Sequence, residues 1–286
     1  MTHLTSRRQL LAAAAGAVFL PGCSALGALD AVVPRDTYEG RAGLAYGDLP
    51  RHRLDAYLPL QRSAATPLVV FFYGGAWTRG ERGDYRFVGE ALASQGIAVL
   101  VADYRLSPAV RWPNILDDCA RATAWARTNA AQLGCSPERI FAMGHSAGAY
   151  NAAMLALDPR WLQAHGMQPR QLAGWIGIAG PYDFLPITDA DSRVAFGWPG
   201  TPPESQPVVH VSPGDPPALL LAPQDDRTVN PRRNTLGLAE KLRAAGVPVR
   251  VQILQGVNHA TIIGALSRPL ARLAPVRQEV VSFVSA

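Results

Sequence analysis

The sequence predicts an α/β protein: a mostly parallel sheet with helices on both faces. Three observations carry this. Short apolar runs rich in Val, Ile, Leu and Phe alternate with helix-like segments from about residue 53 to residue 284. The middle runs are continuously apolar, as strands covered on both faces require. A pentapeptide, GHSAG at 144–148, stands between one such run and a helix-like stretch that opens on small residues. In a parallel sheet that position faces the crevice beyond the carboxyl ends of the strands, where ligands bind.

The elements follow in order. RLDAYLP (53–59) alternates apolar and polar residues, as an antiparallel strand does. PLVVFFYGG (67–75), GIAVLVADY (96–104), RIFAMG (139–144), GWIGIAG (174–180) and PALLLAP (217–223) read as buried strands. VPVRVQIL (247–254) alternates again. Between them, residues 85–95, 114–132, 147–157, 231–245 and 269–284 carry helical patterns. Residues 181–217 are rich in Pro, Asp and aromatics and have little periodicity. They read as an excursion over the upper edge of the sheet, a short cap. Neither an internal repeat nor an inter-domain linker breaks the pattern.

The chain has 286 residues, 48% of them hydrophobic and 17% charged. That is enough to bury the core of one large domain, and it excludes disordered and fibrous classes. The formal charge is +5, with Lys241 the only lysine. No basic run with interleaved aromatics occurs, which excludes nucleic acid as the expected partner.

The N-terminus differs from the rest. Residues 1–10 hold Arg7 and Arg8 and no acid; residues 10–20 are continuously apolar. Such a run is too short to span a bilayer, which takes about 20 residues, and fits the hydrophobic region of an export signal. SRRQLL (6–11) resembles the twin-arginine motif, and LPGC (20–23) resembles a lipobox in which Cys23 would take the lipid. Pro21 departs from the small residue usual there. The expected organisation is an export signal over 1–22, a tether over 23–36 and one catalytic domain over 37–286. The expected location is periplasmic, free or held to the membrane by an N-terminal lipid. Export implies an oxidising compartment, so the cysteines matter. Cys119 and Cys135 lie at opposite ends of the 114–132 helix pattern. A helix running on to residue 129 separates them by roughly 15 Å, and a disulfide needs Cα atoms within about 7 Å. Two unpaired thiols are expected.

A serine between two glycines at the end of a buried strand suits a sharp strand-to-helix turn that lifts a hydroxyl clear of the sheet. A side chain at Gly144 or Gly148 would collide with the neighbouring elements. Ser146 therefore reads as a nucleophile, and a serine hydroxyl needs a base. Six histidines occur. His3 is in the signal, His52 precedes the clear strands, and His165 and His210 lie in connections. His145, adjacent to the serine, is expected to point away from it. His259, in QGVNHATII, follows the last strand and can reach back over the sheet. The acid belongs after PALLLAP, where QDDRTV offers Asp225 and Asp226. The order Ser, Asp, His then results. Oxyanion donors are expected at Ala147, just after the nucleophile, and in FFYGGAWTRG, where paired glycines allow close backbone approach.

These stretches together resemble the α/β-hydrolase esterases of the group containing hormone-sensitive-lipase-like carboxylesterases, kynurenine formamidases and isoprenylcysteine methylesterases. The resemblance spans about residues 40–284 and rests on RLDAYLP, YGGAW, ADYRLSP, WPNILDD, GHSAG, APQDDRTV and GVNHA. It implies an eight-stranded, mostly parallel sheet and a serine carboxylesterase acting on small to medium acyl chains. It selects Asp226 as the acid, because the family has Val three residues after it. It implies Gly75 and Ala76 as loop donors. Tyr73 stands where the family's His-Gly-Gly-x-Trp motif has histidine, and Ala222 and Pro223 replace a His-Gly pair. Asp103 and Arg105 of ADYRLSP are expected in ion pairs bracing nearby loops. Trp77, Tyr182, Phe184 and Trp198 are expected either to line an acyl or alcohol pocket or to pack the cap. The rival readings are an arylformamidase, sharing the same tetrahedral chemistry, and a catalytically silent envelope lipoprotein. No metal or organic cofactor is implied, since HExxH, CxxC and phosphate-binding loops are all missing from the sequence. The expected partner is a small-molecule ester, with membrane contact only through the lipid anchor.

Overall fold

The computed structural model of the protein describes residues 25–286. The export-signal and lipobox readings, with Arg7, Arg8 and Cys23, lie outside these residues. Eight strands form one sheet: β1 (Tyr38–Ala45), β2 (Arg53–Pro59), β3 (Leu68–Phe72), β4 (Ala98–Ala102), β5 (Ile140–His145), β6 (Gly174–Ile178), β7 (Ala218–Pro223) and β8 (Val249–Leu254). Their order is β1-β2-β4-β3-β5-β6-β7-β8. β2 runs antiparallel to both its neighbours, and all pairings from β4 to β8 are parallel.

The helices are α1 (Ala25–Ala31), α2 (Arg86–Ala93), α3 (Trp112–Asn129), α4 (Ala147–Leu157), α5 (Pro159–Gln163), α6 (Ala190–Phe196), α7 (Gly237–Ala244), α8 (Thr261–Gly264) and α9 (Val276–Ser285). Every residue of β3 through β7 is buried. Adjacent side chains on a strand point to opposite faces, so both faces of the sheet are covered. The core therefore runs through the sheet, from Phe71 and Val99 to Trp175 and Leu220. The mostly parallel α/β-hydrolase architecture is the one expected.

The topology also positions the site. The chain leaves β3 for β4 on one side, then enters β5 on the other side of β3. The loops after β3 and β5 thus flank a crevice at a topological switch point. β5 to β8 are parallel, so the loops after β7 and β8 emerge at the same edge.

Several expectations need correction. β1 was not foreseen: it is an edge strand, half exposed and irregular between Arg41 and Leu44, so it has no clean apolar alternation. The tether reading of 23–36 fails in part, because residues 25–31 are helical. Asp30 Oδ1 accepts the Phe87 N–H at 3.0 Å and Leu29 packs on the core. The last helix starts at Val276, not 269, after Pro275. Proline offers no N–H and is best accommodated at a helix start. The 231–245 pattern splits into a π turn, Arg232–Leu236, followed by α7. Cys119 and Cys135 are both buried and free, as expected. Burial pushes the Cys135 thiol up to about 11, well away from reactivity.

Candidate active site

The elbow between β5 and α4 is built as GHSAG requires. Ser146 has φ 54° and ψ −120°, in a region that L-residues avoid. Its N–H donates to the Ile178 carbonyl at 2.9 Å. A Cβ on Gly144 would lie 2.1 Å from the Gly148 backbone, and one on Gly148 would lie 1.9 Å from the Phe72 carbonyl oxygen. Both obstacles are backbone, so neither can move cheaply. Gly148→Ala is expected to cost at least about 3 kcal/mol, the upper part of the usual overpacking range. A thermal melt of that variant, beside a far-surface control substitution, checks the value.

Three side chains distant in sequence meet above this turn. His259 Nε2 is 2.8 Å from Ser146 Oγ, and His259 Nδ1 is 2.8 Å from Asp226 Oδ2. A carboxylate only accepts, so Nδ1 carries the ring proton and Nε2 offers its lone pair to the serine hydroxyl. Asp226 Oδ1 accepts the N–H groups of Thr228 and Val229 at 2.8 and 2.9 Å. Burial pushes the Asp226 carboxyl up. The hydrogen bonds from His259, Val229 and Thr228 outweigh burial, and the net result lies below its ordinary 3.8. Asp225 is exposed and takes no part. The residue three beyond the acid, Val229, works through its backbone, holding the carboxylate.

His259 sits on a loop with its own bracing. Asn258 Oδ1 accepts the N–H groups of Ala260 and Thr261 at 3.0 and 2.9 Å. His145 does more than point away. Its Nε2–H donates to the His259 carbonyl at 2.8 Å, and the two rings lie 5.2 Å apart. Burial first, and then the neighbouring His259, push the His145 ring down to about 3. It stays neutral when a second positive charge beside it would be costly. A histidine inside the pentapeptide was the available signal, but its backbone partner is 114 positions away.

The loop after β3 supplies the other wall. Gly75 has φ 124°, Ala76 φ 50° and Trp77 φ 60°. The N–H groups of Gly75, Ala76 and Ala147 have no acceptor among the described residues. Gly75, Ala76 and Ala147 all line the cavity that contains Ser146. Ala147 is also the first residue of α4, whose N-terminal amides favour negative charge.

Tyr73 supplies the bracing that the motif departure left open. Its hydroxyl accepts from Arg51 Nη2 at 2.6 Å and donates to Asp103 Oδ1 at 2.8 Å. Arg51 Nη2 also donates to the Gly80 carbonyl at 2.8 Å, which pins the far end of the loop. Asp103 and Arg105 do form ion pairs, but with different partners. Asp103 pairs with Arg82 at 2.5 Å and Arg105 with the buried Asp118 at 2.6 Å.

The cavity has a volume of about 890 Å³. Trp77, Phe184, Ile187 and Val229 give it apolar walls, and Ser192 and Thr228 add hydroxyls. Tyr182 and Trp198 do not line it. Tyr182 is fully buried beside Trp175, under Gly177 and Gly180. Trp198 is 38% exposed and carries the Arg193 guanidinium on its face at 5.7 Å. The 181–217 segment contains α6 and contributes Pro181, Phe184 and Ile187 to the cavity lining.

The BD-FAE family model matches residues 54–242, two thirds of the sequence. The chain belongs to the BD-FAE family. This BD-FAE protein is 33% identical over 153 residues to isoprenylcysteine alpha-carbonyl methylesterase of Arabidopsis thaliana, which covers 52% of the chain and 36% of that protein. It is 28% identical over 259 residues to esterase LipC of Mycobacterium tuberculosis, covering 82% of the chain and 63% of that protein. The chain thus spans 36% and 63% of these two curated relatives. A solved structure, a truncated carbohydrate esterase from gut microbiota, superposes with a TM-score of 0.75 at 20% identity, covering 88% of this chain and 97% of that one. That likeness concerns the fold.

Proposed function

We propose that this BD-FAE protein is a serine hydrolase of carboxylic esters. Ser146 Oγ attacks the ester carbonyl while His259 Nε2 takes its proton. Asp226 fixes the ring tautomer and stabilises the imidazolium. The N–H groups of Gly75, Ala76 and Ala147 meet the developing oxyanion. His259 returns the proton to the departing alcohol, leaving an acyl-enzyme. Water, activated by the same imidazole, then releases the acid. The observation that carries this reading is the unbroken chain from Asp226 through His259 to Ser146, with both links at 2.8 Å. The names of the relatives, both esterases, support it.

The aromatic walls around Trp77 and Phe184 favour small to medium acyl groups. Nitrophenyl esters from acetate to palmitate, with N-formylkynurenine alongside, test both the bond and the acyl length. Turnover is expected to peak at or below octanoate and to exceed that of the formamide. Faster hydrolysis of N-formylkynurenine than of every ester would move the assignment to an arylformamidase.

A further inference from the structure

We propose that Asn151 is a positioning residue for the oxyanion-stabilising loop, acting through Trp77; this rests on the esterase reading above. Asn151 lies on α4, slightly more than one turn beyond Ser146. α4 is buried along its whole length and reads AGAYNAAMLAL, with Asn151 its one amide side chain. Asn151 is 0% exposed. A buried amide in such a helix is costly unless its polar atoms are paired. Its Oδ1 accepts the Trp77 indole N–H at 3.0 Å. Its Nδ2 has no hydrogen-bond partner among the described residues. The amide is therefore half satisfied, and the bond to Trp77 is what it contributes.

Trp77 needs such an anchor. Ala76 and Trp77 are consecutive non-glycine residues with φ of 50° and 60°. Residues in this left-handed region persist only where surroundings hold them. Two hydrogen bonds hold Trp77: the indole bond to Asn151 and its carbonyl, which accepts the Ser107 N–H at 2.9 Å. Tyr150 and Phe196 pack edge-on against the indole at 5.3 and 4.7 Å. An indole held in place locks the strained pair, and the strained pair aims the Gly75 and Ala76 N–H groups into the cavity. Ser146 is the residue that leads into the helix carrying Asn151, so the nucleophile and its oxyanion donors are referenced to the same rigid element.

The test is a double-mutant cycle of Asn151→Leu and Trp77→Phe. Each single variant breaks the bond and leaves a partner behind; the double variant removes both partners, which is the less costly arrangement. The expected result is a kcat on nitrophenyl butyrate lowered about 10- to 100-fold in Asn151→Leu, somewhat less than the loss of an oxyanion donor, with KM changed little. The double variant should be no slower than the slower single variant, because both remove the same interaction. It should also recover melting temperature without recovering kcat, which separates positioning from folding. In wild type, the Trp77 indole N–H should exchange slowly by NMR, and this protection should vanish in Asn151→Leu whatever the enzyme hydrolyses. Multiplying kcat losses, or a double variant with wild-type kcat, would overturn the role of Asn151. An inactive wild type with a protected indole would instead overturn the esterase reading.

Discussion

Ser146→Gly is expected to abolish ester hydrolysis and yet to melt above Ser146→Ala. Both variants lack the attacking oxygen, and kcat should fall by on the order of 10⁴ to 10⁶. Their stabilities should differ in an unusual direction. Glycine normally costs about 0.5–1 kcal/mol relative to alanine inside regular structure. At φ 54° and ψ −120° the order reverses, because only glycine occupies this region without strain. A residue held there stores about 1–3 kcal/mol. After the entropy of glycine is subtracted, Ser146→Gly should exceed Ser146→Ala by about 1 kcal/mol. That corresponds to roughly 2–4 °C in a domain of this size. Calorimetry on the two variants decides it. Equal melting temperatures would mean that the turn is not strained as described.

Asp226→Asn should leave the fold intact and lower kcat by about 10⁴, the loss seen when an acid of this kind becomes an amide. The carboxylate forces the ring proton onto Nδ1 of His259. An amide can present an N–H instead, and the tautomer that results points its own N–H at Ser146, where no lone pair is left to take the proton. Stability should respond with a definite sign. The folded carboxyl titrates below its ordinary 3.8. A depressed folded value contributes stability that is fully present above the unfolded value and is lost as pH falls through the folded one. Wild type should therefore melt above Asp226→Asn at neutral pH, and the gap should close as pH drops below about 3.8, the ordinary value of the unfolded carboxyl. A gap that stays constant into that range would contradict the hydrogen-bonded carboxylate.

Much of the site was readable because its demands are local. GHSAG announces a strained turn, since no other residue type fits at 144 and 148. RLDAYLP and AGAYNAAMLAL match β2 and α4 residue for residue, because their apolar patterns coincide with the burial of those elements. What escaped depends on side chains meeting at a distance. The choice of Asp226 over adjacent Asp225 came from the resemblance and not from local pattern, because only the path of the chain after β7 buries one and exposes the other. Tyr182 and Trp198 have the composition of pocket residues, yet one turns under the sheet edge and the other onto Arg193. His145 and Asn151 act on a carbonyl 114 positions away and an indole 74 positions away. Nothing in local periodicity encodes such partners.

The most direct measurement is intact-mass and peptide mapping after reaction with a fluorophosphonate at neutral pH. One adduct per chain, on the peptide holding Ser146, with labelling slowed by orders of magnitude in Asp226→Asn, is the predicted outcome. A folded wild-type protein that stays unmodified, or an adduct on a different residue, would contradict it.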